Sequence, residues 1–335
     1  MAGDAQGPQH ASIAGARRCW SACSRYFRIE RLHFFAPIKA QFRGEAAMHS
    51  FEDGAVFDGF DREPFKFRHT LLGHPALSLE NLSRVIPALP KERVMYSMKR
   101  LANGDDFETT FRDRPADRSI EQTIESIRTS NSYIMVSGPE IEPSFAPLHR
   151  ELIADVETLM RRYGVGTQAI DAQLYLFIAS PGSVTPFHID RYSTFLMQFR
   201  GTKEICVFPQ WDERVVSAAN REAYVAYANT RLPWSPEREK LGIRHTFEPG
   251  EALHIPFVAG HHVRNGNDDV SISMSVIFNT RQSMGWRRAL SFNHSARRVL
   301  GRVGMRPAPV GVQPWRDAAK SQLWRSASAV KSVVK

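Results

Sequence analysis

The sequence predicts a mainly β protein, a barrel or a pair of packed sheets, with flanking helices. Three observations predict it: short runs rich in Val, Ile, Phe and Tyr recur after residue 172, Gly and Pro separate these runs, and segments with apolar residues at helical spacing precede and follow them. The chain has 335 residues and is 42% apolar, which is enough for one large core or two modest ones.

We divide the chain into four regions. Residues 1–47 lack sustained periodicity, and we interpret them as a disordered arm or as an over-called start of the coding sequence. Residues 48–130 are predicted to form a helical and strand support region. Residues 131–282 are predicted to form the β domain, interrupted by a polar, helical insert at 214–244. Residues 283–335 are predicted to form a basic C-terminal helix and tail.

Local patterns predict the individual elements in order. Helices are expected where apolar residues recur every three or four positions, in the segments 65–90, 119–127, 145–163 and 284–303. Within the first of these segments, Ser78 or Asn81 is expected to cap a helix. Strands are expected where β-branched and aromatic residues lie between turn signals, at 133–136, 174–179, 184–189, 195–199, 204–208, 252–255 and 270–278.

Charge and cysteine content restrict the class of protein. The net charge of +9 is concentrated at the ends, since residues 281–335 carry 12 Lys and Arg against one acid, whereas residues 49–280 carry 25 basic and 31 acidic residues. A dedicated nucleic-acid binder is therefore not favoured, and only the basic tail could contact phosphates. The cysteines Cys19, Cys23 and Cys206 complete neither a disulfide framework nor a zinc pattern. No apolar run is long enough to cross a membrane, and we expect a cytoplasmic protein with reduced thiols.

A candidate metal-binding motif lies at the end of a predicted strand. His188 and Asp190 are two residues apart, so in a strand their side chains project from the same face and can bind one metal ion. A second imidazole would come from a distant segment that offers His254, His261 and His262. Two histidines and one carboxylate leave the opposite coordination positions open, which is the arrangement that non-haem Fe(II) oxygenases use.

The flanking sequence carries a resemblance to a known family. It reads Thr-Pro-Phe-His-Ile-Asp at 185–190 and continues Phe-Leu-Met-Gln-Phe-Arg-Gly-Thr-Lys at 195–203. This resembles the JmjC family, especially its asparaginyl-hydroxylase-like branch and bacterial cupin-like proteins, from about residue 133 to residue 280. The resemblance implies a double-stranded β-helix, or jelly roll, and a 2-oxoglutarate-dependent non-haem iron dioxygenase. Such an enzyme uses Fe(II), 2-oxoglutarate and O2 to hydroxylate a protein side chain or a small molecule.

The resemblance implies a role for eight residues. The metal ligands, which are also the catalytic residues, fall on His188, Asp190 and His261, with His262 as the rival to His261. The lysine that binds the distal carboxylate of 2-oxoglutarate falls on Lys203. The other cosubstrate-binding positions fall on Thr185, Thr194, Ser275 and Tyr133. Where the family usually has paired tryptophans before the distal histidine, this chain has Ala259 and Gly260.

Other interpretations stay open at this point. The barrel could bind metal without catalysis and act as a regulator, or the metal could act as a Lewis acid in another cupin enzyme. Both leave Lys203 and Thr185 unexplained. Demethylation of an N-methyl group is an alternative outcome of the same oxidation. We expect an unknown protein or small-molecule substrate and no membrane contact. The helix at 284–303 would either pack on the protein's own barrel or form a homodimer.

Overall fold

Eleven strands run through the described part of the chain, which comprises residues 48–52, 56–110 and 119–333 of a computed structural model. The strands are β1 (Phe65–Arg68), β2 (Val94–Ser97), β3 (Tyr133–Ser137), β4 (Ile170–Ala179), β5 (Val184–Ile189), β6 (Ser193–Arg200), β7 (Lys203–Val207), β8 (Ile243–Phe247), β9 (Glu251–Ile255), β10 (Gly260–Asn265) and β11 (Ser271–Asn279). The interpretation of residues 1–47 lies outside the described residues.

The strands form two sheets in which every strand pair is antiparallel. The larger sheet has the order β1-β9-β6-β11-β4-β3-β2, and the smaller has the order β5-β10-β7-β8. From β4 to β11 the chain passes repeatedly from one sheet to the other, as it does in a jelly roll. The predicted fold class, a mainly β double-stranded β-helix with flanking helices, is confirmed.

Helices flank the sheets, and side-chain caps mark where several begin. They are α1 (Leu79–Ala88), α2 (Phe107–Thr110), α3 (Ile120–Glu125), α4 (Ala146–Arg162), α5 (Ala218–Val225), α6 (Arg281–Leu300) and α7 (Pro314–Val333). Of the two predicted caps for α1, Ser78 is the one whose hydroxyl accepts from a backbone N–H. No helix in the described ranges combines the length and apolar character that a bilayer crossing requires.

Two layers of apolar side chains hold the site in place. One covers the outer face of the larger sheet, where the buried side of α4 packs with residues of β4, β6 and β11. The other lies between the sheets and includes Leu196 and Leu253 from the larger sheet with Ile205 and Val263 from the smaller. Burying each such side chain contributes about 1.5–3 kcal/mol. These side chains therefore fix the two sheets against each other on one side of the interior.

Some predicted elements differ from the structure. The segment predicted as helical from residue 65 begins instead with β1, because its alternating aromatic residues pair with β9. β8 and β10 were not predicted as strands, and α7 occupies what we expected to be a tail. The insert contains α5 and a short 3-10 helix, Pro236–Leu241, before β8 begins. Helix α6 lies against the chain's own β11, α5 and α7.

Candidate active site

Adjacent strands of the smaller sheet bring the proposed metal ligands together. His188 on β5 and His261 on β10 are directly opposite each other in the antiparallel register. Asp190, which follows β5, has Oδ1 3.8 Å from Nε2 of His188 and Oδ2 3.8 Å from Nε2 of His261. One ligand atom from each residue lies within 4.8 Å of the others. Three ligand atoms this close can bind one divalent ion and leave one face of it open.

Both imidazoles direct Nε2 toward this point. Nδ1 of His188 is 2.7 Å from the Pro186 carbonyl oxygen, and Nδ1 of His261 is 3.0 Å from the Ala259 carbonyl oxygen. Because a carbonyl only accepts, each Nδ1 carries the proton and each Nε2 lone pair is available to a metal. Burial lowers the pKa of His188 to about 4, which keeps this ring neutral at pH 7.

The lysine predicted to bind a carboxylate lies in the same cavity. Lys203 begins β7, and only 3% of its surface is exposed. Burial alone lowers its pKa to about 7, and no carboxylate among the described residues opposes this shift. A buried ammonium without an anionic partner is costly to the fold. Its position is therefore better explained by a ligand than by folding.

The remaining predicted residues line this cavity too, which has a volume of about 370 Å³. Thr185 donates to the Tyr133 hydroxyl over 3.2 Å, and burial raises the pKa of Tyr133, so that the phenol stays protonated. Thr194 donates to Oδ2 of Asp190 over 3.1 Å and restrains the carboxylate. Ser275 is buried on β11. The structure thus brings all eight predicted side chains to one cavity.

The two alternative histidines lie elsewhere. His254 is fully buried in the core, where Nε2 accepts from the Asp61 backbone N–H at 2.9 Å and Nδ1 lies 3.1 Å from the Thr194 carbonyl oxygen. Both ring nitrogens are occupied, so His254 has none left for a metal. His262 lies on the face of β10 opposite His261, and its Nε2 is 3.1 Å from both carboxylate oxygens of Glu239. Of the three candidates, His261 is the one that joins His188 and Asp190.

The lining of the cavity contains residues that were not predicted. Arg191 ion-pairs with Glu108 on α2 at 2.6 Å and donates twice to the Tyr224 carbonyl oxygen, at 3.0 and 2.7 Å. Its guanidinium lies 3.8 Å from the centroid of the Tyr227 ring, and Tyr192 also lines the cavity. Arg191 directly follows the ligand motif, which was the available signal, but its partners are distant in sequence.

Comparison with known proteins identifies the family. The family model for the cupin-like domain matches residues 87–284, more than half of the chain. The chain belongs to the cupin-like family. The resemblance predicted from the motifs around His188 and Lys203 is thereby confirmed. The cupin-like match contains both sheets except β1, together with all eight candidate site residues.

Among solved structures, this cupin-like chain is similar to YcfD of Escherichia coli. An X-ray structure of E. coli YcfD is 16% identical, with a TM-score of 0.40, over 79% of this chain and 63% of that one. The chain therefore spans less than two thirds of that protein. A structure of YcfD, a ribosomal oxygenase from E. coli, is 17% identical, with a TM-score of 0.40, over 84% and 68%. A structure of YcfD with cobalt and 2-oxoglutarate is 17% identical, with a TM-score of 0.39, over 79% and 63%. No curated protein matches the chain.

Proposed function

We propose that this protein is an Fe(II)- and 2-oxoglutarate-dependent dioxygenase that hydroxylates a protein side chain or a small molecule. The observation that carries the proposal is the buried Lys203, which shares one cavity with His188, Asp190 and His261. A site that binds only a metal has no use for this cation. A cosubstrate that chelates the metal at one end and has a free carboxylate at the other does need it.

The residues present fit the metal. Two neutral imidazole nitrogens and one carboxylate are the donor set that non-haem Fe(II) oxygenases use. The carbonyl groups of Pro186 and Ala259 fix both rings with Nε2 toward the ion, and Thr194 holds the carboxylate of Asp190. Outer contacts of this kind orient metal ligands and increase their affinity.

The residues present also fit the cosubstrate. The Lys203 ammonium would bind the distal carboxylate of 2-oxoglutarate, and the Tyr133 hydroxyl, which accepts from Thr185 and is oriented by it, would donate to the same oxygens. An arriving carboxylate would restore the charged form of Lys203, whose pKa burial otherwise lowers to about 7. A cavity of about 370 Å³ lies within the range that encloses a small ligand.

Bound Fe(II) and 2-oxoglutarate would supply the oxidation, in which one atom of O2 enters succinate as CO2 is lost and the other enters a substrate C–H bond. The chain's own residues hold these groups and exclude water. Leu196, Ile255 and Val263 line the cavity with apolar surface. The Phe107 ring, 4.9 Å from the His188 ring between centroids, covers the ligands on another side. Shielding of this kind prevents side reactions of the oxidising centre.

Succinate formation from 2-oxoglutarate by the purified protein with Fe(II) and ascorbate tests the proposal. We expect slow turnover without substrate, lost in both His188→Ala and Lys203→Ala. The exposed His49 provides a matched control, since His49→Ala should retain turnover. Undiminished turnover in Lys203→Ala would contradict the proposal.

A titration of 2-oxoglutarate into the Co(II)-loaded protein separates the dioxygenase from a metal-binding regulator or a Lewis-acid cupin. The dioxygenase should bind it, and Lys203→Ala should not. Metal binding without any 2-oxoglutarate binding would favour the regulator or the Lewis-acid cupin. With a methylated substrate, release of formaldehyde would distinguish demethylation from hydroxylation.

A further inference from the structure

A second group of ligand-type side chains lies on the outer face of the smaller sheet. Neighbouring residues of a strand project from opposite faces, so His262 points outward where His261 points into the cavity. Cys206 on β7 is directly opposite His262 in the register of β7 and β10. Glu239, from the 3-10 helix of the insert, extends over both, with its carboxylate oxygens 3.1 Å from Nε2 of His262.

The spacing of these atoms suits one metal ion. One ligand atom each from Cys206, Glu239 and His262 lies within 4.8 Å of the others. Tetrahedral zinc, with bonds of about 2.0–2.3 Å to N, O and S, requires separations of roughly 3.3–3.6 Å between such atoms. A side-chain movement of about an ångström would achieve this. A thiolate and a carboxylate together would also balance the charge of a divalent ion.

The group is enclosed by its surroundings. Cys206 is 1% and His262 8% exposed. The Trp234 ring lies 5.2 Å from the His262 ring between centroids. The backbone at Gly242 passes so close that an added Cβ would lie 2.3 Å from Sγ of Cys206. Such packing holds the thiol beside the imidazole.

Arg244 helps to orient the carboxylate. Its guanidinium donates to Oε1 of Glu239 at 2.9 Å and to Glu204 at 2.9 Å. The other oxygen, Oε2, lies 3.1 Å from Nε2 of His262, so an ion would replace this hydrogen bond with bonds to both atoms. The sulfur also distinguishes this group from the first site, because soft thiolate ligands select zinc, whereas the set of His188, Asp190 and His261 contains no sulfur.

We propose that Cys206, Glu239 and His262 form a second metal site, for a Zn(II)-class ion, on the outer face of the smaller sheet. The ion would fasten the insert, through Glu239, to strands β7 and β10. The same insert contributes Tyr224 and Tyr227 to the lining of the cavity. The second site does not depend on the proposed oxygenase function.

Cobalt provides the test, because a Co(II)–thiolate bond gives a charge-transfer band in the near ultraviolet that histidine and carboxylate ligands do not give. The full chain would carry Cys19→Ser and Cys23→Ser, so that Cys206 is the one remaining thiol. We expect two Co(II) ions per chain and the thiolate band. Adding His188→Ala should leave one ion and the band. Adding Cys206→Ala should leave one ion and no band.

A pair of acidic residues supplies a control that does not alter the buried thiol. Glu239 and Glu204 both ion-pair with Arg244, but only Glu239 reaches the proposed site. Glu239→Gln should weaken the Co(II) affinity that is read from the thiolate band by more than the roughly 10- to 100-fold that loss of an outer contact costs, and Glu204→Gln should not. Absence of the band at saturating Co(II), in protein that circular dichroism shows to be folded, would overturn the proposal, as would equal effects of Glu239→Gln and Glu204→Gln.

Discussion

Replacing Lys203 with methionine would separate the cost of this residue to the fold from its role in binding. Methionine preserves most of the length and removes the charge. Burial lowers the pKa of Lys203 from 10.5 to about 7, so between these pH values the unfolded chain binds the proton that the folded chain releases. The ammonium therefore destabilises the ligand-free fold below pH 7, and this cost declines as the pH rises toward 10.5.

The magnitude follows from the pKa values. Since one pKa unit corresponds to about 1.4 kcal/mol, the ammonium costs at most about 4 kcal/mol at pH 7 and about 1 kcal/mol at pH 9.5. Metal-free Lys203→Met should thus unfold at a higher temperature than the wild type, by roughly 5–10 °C at pH 7. The extra apolar surface that methionine buries stabilises the variant equally at every pH. The pH dependence of the stability difference between variant and wild type therefore reports the effect of the charge alone. Lys66→Met is the control, because Lys66 ion-pairs with Glu251 at 2.9 Å on the surface.

Thermal unfolding at pH 7 and pH 9.5, with and without Co(II) and 2-oxoglutarate, measures both the cost of Lys203 to the fold and its contribution to cosubstrate binding. Saturating cosubstrate should stabilise the wild type by mass action and leave Lys203→Met unchanged. If the stability difference between the two proteins did not change with pH, or if the variant were less stable at both pH values, the ammonium would have a favourable contact in the fold. The burial of Lys203 would then be explained by the fold and would not require a ligand.

Three further substitutions test individual contacts. Thr194→Val removes the hydroxyl that restrains Asp190 and should weaken Co(II) binding roughly 10- to 100-fold in a titration; unchanged affinity would show that the contact is dispensable. Gly260→Ala places a Cβ 2.8 Å from the Phe187 ring and should cost about 1–3 kcal/mol in urea unfolding, whereas wild-type stability would mean that the ring moves freely. Glu222→Ala removes a buried carboxylate that accepts at 2.7 and 2.8 Å from an arginine of α6, and should lower the unfolding free energy by about 3 kcal/mol; a loss below 1 kcal/mol would contradict this.

Elements with strong local patterns could be predicted from the sequence. The predicted strand at 184–189 coincides with β5, and the predicted helix at 145–163 differs from α4 by one residue at each end. β5 is buried at five of its six positions, and α4 buries six of its 17 residues at helical spacing. The candidate ligands His188 and Asp190 could be predicted for the same reason, because both lie at the end of a clear strand.

Elements whose residues are polar could not be predicted in this way. β10 reads Gly-His-His-Val-Arg-Asn, without the apolar alternation of a strand, and is held by pairing with β5 and β7. β8 is an edge strand with a partner on one side only. The contact between Arg191 and Glu108 joins residues 83 positions apart. Such features depend on tertiary pairing, which a local pattern does not encode.

The choice between His261 and His262 is a further property of strand register. The two residues are adjacent, so local sequence makes them equivalent, and a slip of β10 by one residue would exchange their faces. In the register that sets His261 opposite His188, Gly260 packs so closely against Phe187 that an added Cβ would lie 2.8 Å from its ring. Gly260 is therefore part of what places His261, and not His262, beside the other two candidate ligands. The same register sets His262 against Cys206, so one strand position determines both the proposed iron site inside the barrel and the proposed thiolate site outside it.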